Sequence, residues 1–341
     1  RDVLGSRGLG DVYKRQYMQT IVKNELNGTG PVLIKHGFRY FFRSIRKQKI
    51  LWLMILPAIL YFIVFCYLPM GGIVLAFKNF NYQQGIFDSP WVGVRNFEFL
   101  FSSGTLWEVT KNTILYNIAF ILVSLVMEVL VAIMLSELAG KWFKKITQSV
   151  MFLPYFVSYV LLAALVYNLF NFEYGVVNNI LISWGQEPVD VYSNPGIWKY
   201  LLVFFHEWKG LGYGVVIYLA ALTGINSEYY EAAKIDGANK WQEIGWITIP
   251  LLKPTMIIVT LFAVGSIMKG QFELFYQVIG TNSLLYSTTD IIDTYVFRML
   301  TQTFEPGMGT AAGLYQSVLS FLMIVGVNYL VKRVEPDYSL F

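Results

Sequence analysis

Six long apolar runs, separated by charged segments, constrain the fold of this 341-residue chain more than any other feature. A membrane-spanning helix needs about 20 mostly apolar residues, and every run is longer than that. Only 14% of the residues are charged, against about 25% in an average soluble domain. The sequence therefore predicts an all-α, polytopic membrane protein with six transmembrane helices. The runs are residues 50–77, 113–138, 146–172, 200–225, 251–279 and 306–331.

Lysine and arginine are distributed unequally between the segments that connect these runs. One alternating set of segments carries fourteen basic residues, and the other set carries five. Cytoplasmic loops of membrane proteins hold the excess of Lys and Arg. The richer set is therefore predicted to be cytoplasmic, with both termini on that side. Its members are Lys35, Arg39, Arg43, Arg46, Lys47, Lys49, Lys141, Lys144, Lys145, Lys234, Lys240, Lys253, Lys332 and Arg333.

The same pattern divides the chain into segments. Residues 1–17, which precede the first methionine, are polar and rich in glycine, and we interpret them as a non-native leader or a disordered native tail. Residues 18–49 form a basic cytoplasmic N-terminal segment. The membrane domain covers residues 50–331, and residues 332–341 form a cytoplasmic tail.

The connection between the fourth and fifth runs, residues 226–250, differs from the other basic segments. It reads NSEYYEAAKIDGANKWQEIGWITIP, in which Asn226 or Ser227 can cap a helix and Glu228 suits the positive end of the helix dipole. Gly237 can end that helix, because positive φ costs glycine little. A second short helix is expected ahead of the following proline. This pattern suits docking to another protein, or a structured loop without a partner.

The same residues match the EAA motif of permease subunits of binding-protein-dependent ABC importers. The family pattern is Glu-Ala-Ala, three residues, Gly, nine residues and then Ile-x-Leu-Pro. Here Ile249 replaces the leucine, which is a conservative departure, and the spacing is complete. We therefore call residues 226–250 the EAA loop. The matching residues are Glu231, Ala232, Ala233, Gly237, Ile247 and Pro250.

The resemblance extends from about Phe41 to the C-terminus, through segments such as SPWVGVRNFEFLF and AAGLYQSVLSFLMIVGVNYLVKR. These look like carbohydrate-uptake permeases, in particular the polysaccharide and oligosaccharide transporters of the lipoprotein-associated type. The resemblance implies the type I permease fold of ABC importers, in the cell membrane of a prokaryote. It also implies which residues couple to an ATPase. Glu231, Ala232, Ala233 and Gly237 would contact it, while Asp236, Ile247 and Pro250 shape the loop.

The resemblance implies a set of partners as well. These are a second, homologous but different permease, two ATP-binding subunits, and an extracytoplasmic binding protein that delivers a sugar, expected to be an oligosaccharide. ATP and Mg²⁺ would be bound by the ATPase, and this chain would carry no cofactor of its own. The net charge of +4 gives no reason to expect a nucleic acid as a partner.

Motifs for catalysis are missing from the sequence. No G-x-x-x-x-G-K-[ST] loop occurs, so the chain is not predicted to be its own ATPase. His206 and Glu207 begin like a zinc-protease motif, but Gly210 occupies the position of the second histidine. With two histidines and the single cysteine Cys66, no zinc-ligand spacing is present. The sequence predicts neither a metal site nor an enzyme.

Polar residues inside the fourth and fifth runs are candidates for a translocation path. Ionisable groups at membrane depth usually face a protein interior or water, and aromatic and amide side chains suit a sugar. The candidates are Trp208, Gln271, Glu273 and Tyr276. The alternative is that Lys269 and Glu273, one turn apart in a single helix, neutralise each other.

Three further features have ordinary structural interpretations. Glu128 is expected near the cytoplasmic end of the second run, in an interfacial, packing or transport role. The motifs Gly210-x-x-x-Gly214 and Gly309-x-x-x-Gly313 predict close packing between helices.

Two other classes of protein stay open as alternatives. A secondary transporter would carry its own coupling-ion site and often has repeated halves, and the sequence displays neither. A membrane subunit that assembles a complex without transporting anything is compatible with the apolar runs. Neither alternative explains the EAA loop.

Overall fold

The computed structural model describes residues 49–138 and 140–334, without the side chains of Leu330 and Val334. Residues 1–48 and 335–341 lie outside the described residues. The predictions for the leader, for almost all of the basic N-terminal segment and for most of the C-terminal tail therefore stay predictions. The described chain is helical, and its few extended contacts are isolated bridges. It divides into two units, with the boundary after Met70.

The first unit contains most of the first predicted span. Its helix α1, Lys49–Phe62, continues through a π-helical segment, Ile63–Tyr67, and a further turn, Leu68–Met70. Almost every side chain along this stretch is exposed. Exposure of apolar side chains carries no penalty in a bilayer, because lipid tails are as apolar as leucine.

The second unit contains all the remaining elements of the described chain. In order, these are a 3₁₀ segment Gly71–Phe77, α2 Gly85–Asp88, α3 Arg95–Ser102, α4 Thr105–Glu137, α5 Lys141–Phe152, a 3₁₀ segment Leu153–Phe156, α6 Tyr159–Phe170, α7 Val176–Ser183, a 3₁₀ segment Val191–Ser193, α8 Pro195–Thr223, α9 Glu228–Ile235, α10 Lys240–Glu243, a π-helical segment Ile244–Thr248, α11 Ile249–Gly265, α12 Phe272–Ile279, a 3₁₀ segment Ser283–Leu285, α13 Tyr286–Thr289, α14 Ile292–Thr301 and α15 Pro306–Val334.

Four helical segments are long and apolar enough to cross a membrane, namely Lys49–Phe77, Thr105–Glu137, Lys240–Gly265 and Pro306–Arg333. Two further pairs of helices pass the same test only if each pair is counted as one bent span. They are Lys141–Phe156 with Tyr159–Phe170, bent by 95°, and Pro195–Thr223 with Glu228–Ile235, bent by 71°. The described chain therefore has four to six candidate spans, and the upper figure equals the number predicted.

The third predicted run, residues 146–172, is not the straight helix that its composition suggests. The chain turns sharply between α5 and α6, where the 3₁₀ segment contains Pro154. Proline has no N–H and clashes with the preceding turn, so an α-helix cannot continue through it undisturbed. A new helix starts after Ser158, whose hydroxyl accepts a hydrogen bond from the Leu161 N–H at 3.3 Å.

The fifth predicted run, residues 251–279, is wrong as a single helix, because α11 ends at Gly265 and α12 begins at Phe272. The freed backbone groups find partners in the C-terminal part of the chain. The Gly270 N–H donates to the Asp293 carboxylate at 2.8 Å, and the Gln316 side-chain amide donates to the Met268 carbonyl at 2.7 Å.

This break also corrects the interpretation of Lys269 and Glu273. Lys269 lies in the irregular segment, whereas Glu273 lies in the first turn of α12. They are therefore not one turn apart on a continuous helix, and no ion pair within the described part of the chain joins them. The proposed neutralisation by an i,i+4 pair is wrong.

The centre of the second unit is the packing of α4 against α8. Tyr116 and Phe120 near the start of α4 share a buried cluster with Trp198 and Leu202 near the start of α8. Toward the other ends of the two helices, a second cluster again joins them, formed by Ala132 and Ile133 with Val215, Tyr218 and Leu219. The two helices are consequently parallel, and their first turns lie at the same end of the unit.

The close approach of α8 to its neighbours depends on Gly212 and Gly214, of which the spacing predicted only Gly214. A Cβ at Gly212 would overlap the backbone of Met151, and a Cβ at Gly214 would overlap the Glu128 carboxylate. A Cβ at Gly210 would meet nothing within 4 Å. Gly214 therefore makes a close contact as expected, but its motif partner Gly210 does not. In the second motif, Gly309 approaches Leu300, while Gly313 faces open space.

Gly212→Ala is expected to destabilise the protein, and Gly210→Ala is its matched control on the same helix. Inserting a methyl group where backbone is already in contact costs about 1–3 kcal/mol, while alanine in open space gains up to about 1 kcal/mol of helix propensity. Thermal unfolding in detergent would measure both variants. Equal midpoints for Gly212→Ala and Gly210→Ala would contradict the packing described here.

Candidate functional site

The first half of the EAA loop is the helix α9, which begins and ends as its sequence predicts. The Asn226 side-chain oxygen accepts a hydrogen bond from the Glu228 N–H at 3.1 Å, so Asn226 rather than Ser227 is the capping side chain. Gly237 has a φ of 80°, which favours glycine. The Ala238 N–H then donates to the Ala233 carbonyl at 2.9 Å and closes the end of the helix.

The second half of the loop is a helix that runs into the membrane span. Asn239 and Gln242 form a capping box, in which each side chain accepts a hydrogen bond from the other's backbone N–H, at 2.9 and 2.8 Å. From there α10 continues through the π-helical segment into α11 without a break. The hydroxyls of Tyr230 and Thr248 lie 3.1 Å apart and connect the two halves.

The predicted coupling residues occupy two parts of this loop. Glu231 and Ala232 are exposed on α9, and Pro250 is exposed at the start of α11. The other four line a hollow of about 300 Å³ between the two halves, and Trp246 lines it as well. These four are Ala233, Asp236, Gly237 and Ile247.

The loop also carries large apolar side chains that the fold leaves exposed. Ile235, Trp241 and Trp246 are each more than 80% exposed. Large exposed apolar side chains are characteristic of a surface that another protein or a membrane covers. Sequence reasoning singled out the small and acidic residues and missed these three.

A lysine attaches the EAA loop to a membrane helix that precedes it in the chain. The Lys240 ammonium lies 2.9 Å from a carboxylate oxygen of Glu137, at the end of α4, and 2.9 Å from one of Glu243. Glu243 is buried, and the Lys240 ammonium compensates its negative charge there. No sequence pattern predicts the pair with Glu137, because the two residues are distant along the chain.

A cavity of about 420 Å³ lies between α4, α8 and α11. Its lining mixes aliphatic side chains with groups that can form hydrogen bonds. The His206 ring at its edge stacks on Phe120, with ring centroids 3.9 Å apart. The polar and ionisable lining residues are Asn117, Ser124, Glu128, His206, Tyr218, Thr260, Ser266, Lys269 and Gln271.

A column of acidic and hydroxyl groups borders this cavity in the α4–α8 interface. Ser124 donates a hydrogen bond to one Glu207 carboxylate oxygen at 2.7 Å. The other Glu207 oxygen and the Tyr218 hydroxyl are buried and have no hydrogen-bond partner among the described residues. Glu128 lies between them, in the space that Gly214 leaves. This glutamate therefore packs between the two helices, which is one of the roles expected for it.

The four predicted path residues are not brought together. Gln271 lines the 420 Å³ cavity, and Trp208 packs half-buried against the core cluster around Trp198. Glu273 is exposed at the start of α12. Tyr276 stacks on Phe272 with centroids 5.2 Å apart, away from that cavity.

Lys209 stabilises the bend between α5 and α6. Its ammonium donates to the carbonyls of Tyr155 and Val157 at 2.7 and 2.6 Å. It also lies over the rings of Tyr155 and Tyr159, 5.5 and 4.9 Å from their centroids. Backbone carbonyls at membrane depth are costly to leave without a donor, so the lysine satisfies the groups that the bend releases.

Replacing this lysine with methionine, Lys209→Met, is expected to lower stability. The variant keeps the apolar stem and removes the donor, which leaves two carbonyls unsatisfied at about 1–3 kcal/mol. The thermal midpoint in detergent is the measurement, and Lys141→Met, at an exposed lysine that begins α5, is the control. Equal stability of the two variants would show that the ammonium does not hold the bend.

Apolar helices, an EAA loop that continues into one of them and a cavity with polar lining residues are the features expected of a membrane transport component. No cluster of His, Cys, Asp and Glu able to hold a metal occurs in the part of the chain that the structure describes. Residues 128–336, more than half of the chain, match the family of binding-protein-dependent transport system inner membrane components. The chain belongs to this family, as the EAA motif predicted.

Curated relatives cover nearly the whole chain. Protein LplB of Bacillus subtilis (strain 168) is 31% identical over 320 residues, which is 94% of this chain and 99% of the relative. The polygalacturonan/rhamnogalacturonan transport system permease protein YteP of the same organism is 31% identical over 287 residues, covering 84% of this chain and 89% of the relative.

Solved structures agree with the fold. A chain of a bacterial ABC transporter involved in the import of the acidic polysaccharide alginate matches with a TM-score of 0.78 and 32% identity, over 86% of this chain and 99% of that one. A chain of an alginate ABC transporter in complex with an alginate pentasaccharide-bound periplasmic protein matches with a TM-score of 0.77 and 31% identity, over 86% and 97% of the chains. The predicted all-α ABC importer permease fold is confirmed.

Family membership also decides what kind of protein this is. The chain is a permease subunit of an ABC importer and a multi-pass membrane protein. Such permeases are transport components and not enzymes, so the prediction that the chain is not an enzyme is confirmed. They generally carry no cofactor of their own.

Proposed function

We propose that this chain is the permease of an importer that carries an oligosaccharide into a prokaryotic cell. In this proposal it pairs with a second, homologous permease and with two ATP-binding subunits, which bind ATP and Mg²⁺. An extracytoplasmic binding protein delivers the sugar. Both termini and the EAA loop face the cytoplasm.

The observation that carries the proposal is the construction of the EAA loop. It is a capped helix–glycine–helix unit whose docking residues are exposed, and it continues into a membrane span. The Lys240–Glu137 ion pair joins it to a second span. A partner that binds this loop would therefore act on α11 through the backbone and on α4 through the ion pair. These two helices border the polar cavity. The residues expected to bind the partner are Glu231, Ala232, Ala233 and Gly237. Asp236, Ile247 and Pro250 keep the loop in shape.

The substrate class is supported by the relatives and by the chemistry of the helices. YteP is a polygalacturonan/rhamnogalacturonan permease, and the matching structures come from alginate importers. The cavity offers amide, hydroxyl and charged groups that can bind sugar hydroxyls, Gln271 among them. Trp208, Glu273 and Tyr276 stay candidates for other positions along the path.

Transport follows from two states of the permease pair. When ATP binding closes the ATPase pair, the groove that holds the EAA loop moves and tilts the attached helices. The cavity then opens to the outside, accepts the sugar from the binding protein, and returns to the inward-facing state after hydrolysis. A ligand can shift such an equilibrium only through its different affinity for the two states. The loaded binding protein must therefore prefer the outward-facing one.

Reconstitution tests this proposal. The chain, a candidate second permease and the ATP-binding subunits are placed in proteoliposomes, and ATP hydrolysis is measured with a panel of binding proteins loaded with different oligosaccharides. We expect stimulation by at least one loaded binding protein and little by its empty form. Sugar uptake by the purified chain alone without ATP would instead support a secondary transporter. Assembly without any uptake or stimulation would support a non-transporting subunit.

The proposed orientation makes a separate prediction, which the single cysteine makes easy to test. In a Cys66→Ser background, Glu187→Cys is expected to react with a membrane-impermeant maleimide on intact cells. Lys141→Cys, at the first residue of α5, is expected to react only after permeabilisation. The reverse pattern would overturn the orientation inferred from the basic residues.

A further inference from the structure

A groove of about 640 Å³ runs between α4 and α8, away from the polar cavity. Its mouth lies at the first turns of the two parallel helices, where Lys111 of α4 and Lys199 of α8 line it. Below the mouth the walls are mainly apolar, with Leu115 and Phe204 more than half exposed. The groove combines two cations at one end with an apolar slot.

The two ammonium groups have no partner within the described residues. No ion pair and no hydrogen bond engages Lys111 or Lys199, although Glu108 lies one turn before Lys111. The lining of the groove contains no aspartate or glutamate. The charge of its mouth is therefore positive and uncompensated.

Two other polar side chains of the groove already have hydrogen-bond partners. The Asn112 side-chain amide donates to the Asp290 carbonyl at 3.0 Å, and the Tyr116 hydroxyl donates to the Thr288 carbonyl at 2.9 Å. An occupant would thus meet two ammonium groups that have no partner within the described residues. The ligand that this chemistry selects has an anionic head.

The depth of the groove suits one lipid leaflet. From Lys111 to Val123 the wall of α4 covers about 18 Å at about 1.5 Å per residue, and half of a hydrocarbon core is about 15 Å. A segment of a partner protein would fit the apolar walls. It would also have to bring two acidic groups to the lysines at the mouth. An anionic phospholipid brings both its phosphate and its tail from the surrounding bilayer.

We propose that this groove is a binding site for an anionic phospholipid, with phosphatidylglycerol as the probe. Lys111 and Lys199 bind the phosphate, and the acyl chain lies along Leu115, Ala119 and Phe204. By the orientation proposed above, the lipid belongs to the outer leaflet. The site depends on the membrane-embedded fold and not on the transported sugar, so it can fail or succeed independently of the proposed function.

Native mass spectrometry of the full chain, purified from membranes, tests the site by counting bound phosphatidylglycerol. The double variant Lys111→Gln/Lys199→Gln is expected to retain at least about fivefold less than the wild type, because each lysine near the surface contributes to binding of anionic lipid. The control Lys141→Gln/Lys145→Gln removes two exposed lysines elsewhere and is expected to retain the wild-type amount. Equal retention by the two double variants would overturn the proposal.

Two further measurements test the site even if the double variant Lys111→Gln/Lys199→Gln fails to fold. Ala119→Phe fills the slot and leaves the lysines intact, and we expect it to lower retention as well. In the wild type, phosphatidylglycerol is expected to displace phosphatidylcholine, since the zwitterionic head has no net charge to offer. Equal retention of both lipids would overturn the proposal. So would efficient crosslinking of Ala119→Cys to the second permease in the assembled importer, because a protein would then occupy the groove.

Discussion

Glu231→Arg is expected to abolish ATP-driven uptake while leaving the permease folded in the membrane. Glu231 is exposed in the first turn of α9 and forms no ion pair within the described chain, so its charge is not needed for the fold. In the proposed complex it is buried against the ATPase. Losing one partner of a buried charge pair there costs about 2–5 kcal/mol, and about 2.8 kcal/mol is a hundredfold in binding.

The experiment compares this variant with Glu173→Arg, which reverses another exposed acid on the opposite, predicted outer side. Three quantities are measured, namely uptake, co-purification of the ATP-binding subunit and the thermal midpoint of the isolated chain. We expect Glu231→Arg to lose the first two and keep the third, while Glu173→Arg keeps all three. Normal co-purification with Glu231→Arg would disprove the docking role. Lost co-purification with a lowered midpoint would indicate misfolding instead.

Removal of Arg298 is expected to have the largest effect on stability. Its guanidinium forms a bidentate pair with Asp290, where the two side chains are 16% and 7% exposed, and it lies 4.2 Å from the centroid of the Tyr286 ring. Arg298→Met leaves the Asp290 carboxylate buried without its cation, which costs about 3–5 kcal/mol. Thermal or denaturant unfolding in detergent is the measurement.

The double variant Arg298→Met/Asp290→Leu tests how much the ion pair itself contributes to the free energy of unfolding. A buried pair replaced by apolar side chains is often close to neutral, so the double variant is expected to recover a large part of the loss. Arg95→Met, at an exposed arginine in α3, is the control and should unfold like the wild type. A single variant as stable as this control would mean that water reaches Asp290 readily.

The features that the sequence predicted well are those written in consecutive residues. Six apolar runs were enough to identify the membrane class. The EAA loop was predicted down to its cap and its Gly237 turn, because capping and positive φ depend on residue types a few positions apart. The family followed from the same short motif. Orientation and the roles of individual loop residues stay predictions, since they concern a bilayer and partners outside the chain.

The features that the sequence missed depend on residues that meet from distant positions. The bend before α6 is supported by Lys209, and the break after α11 by Asp293 and Gln316. A hydropathy profile predicts one helix for each run, because it contains no information on a hydrogen-bond donor that another helix supplies. The spacing of Gly210 and Gly214 did not predict the close contact at Gly212 for the same reason. That contact is with the backbone of Met151, which lies on another helix.

The attachment of Lys240 to Glu137 has a mechanical consequence. Two helices from distant parts of the sequence are attached to the EAA loop. Helix α4 is attached through the ion pair, and α11 is attached through continuous backbone. In the proposed function, a displacement of the loop would move α11 directly through the backbone. Helix α4 would follow only as far as the ion pair holds, and since its two side chains are 55% and 41% exposed, such a pair contributes about 0–1 kcal/mol.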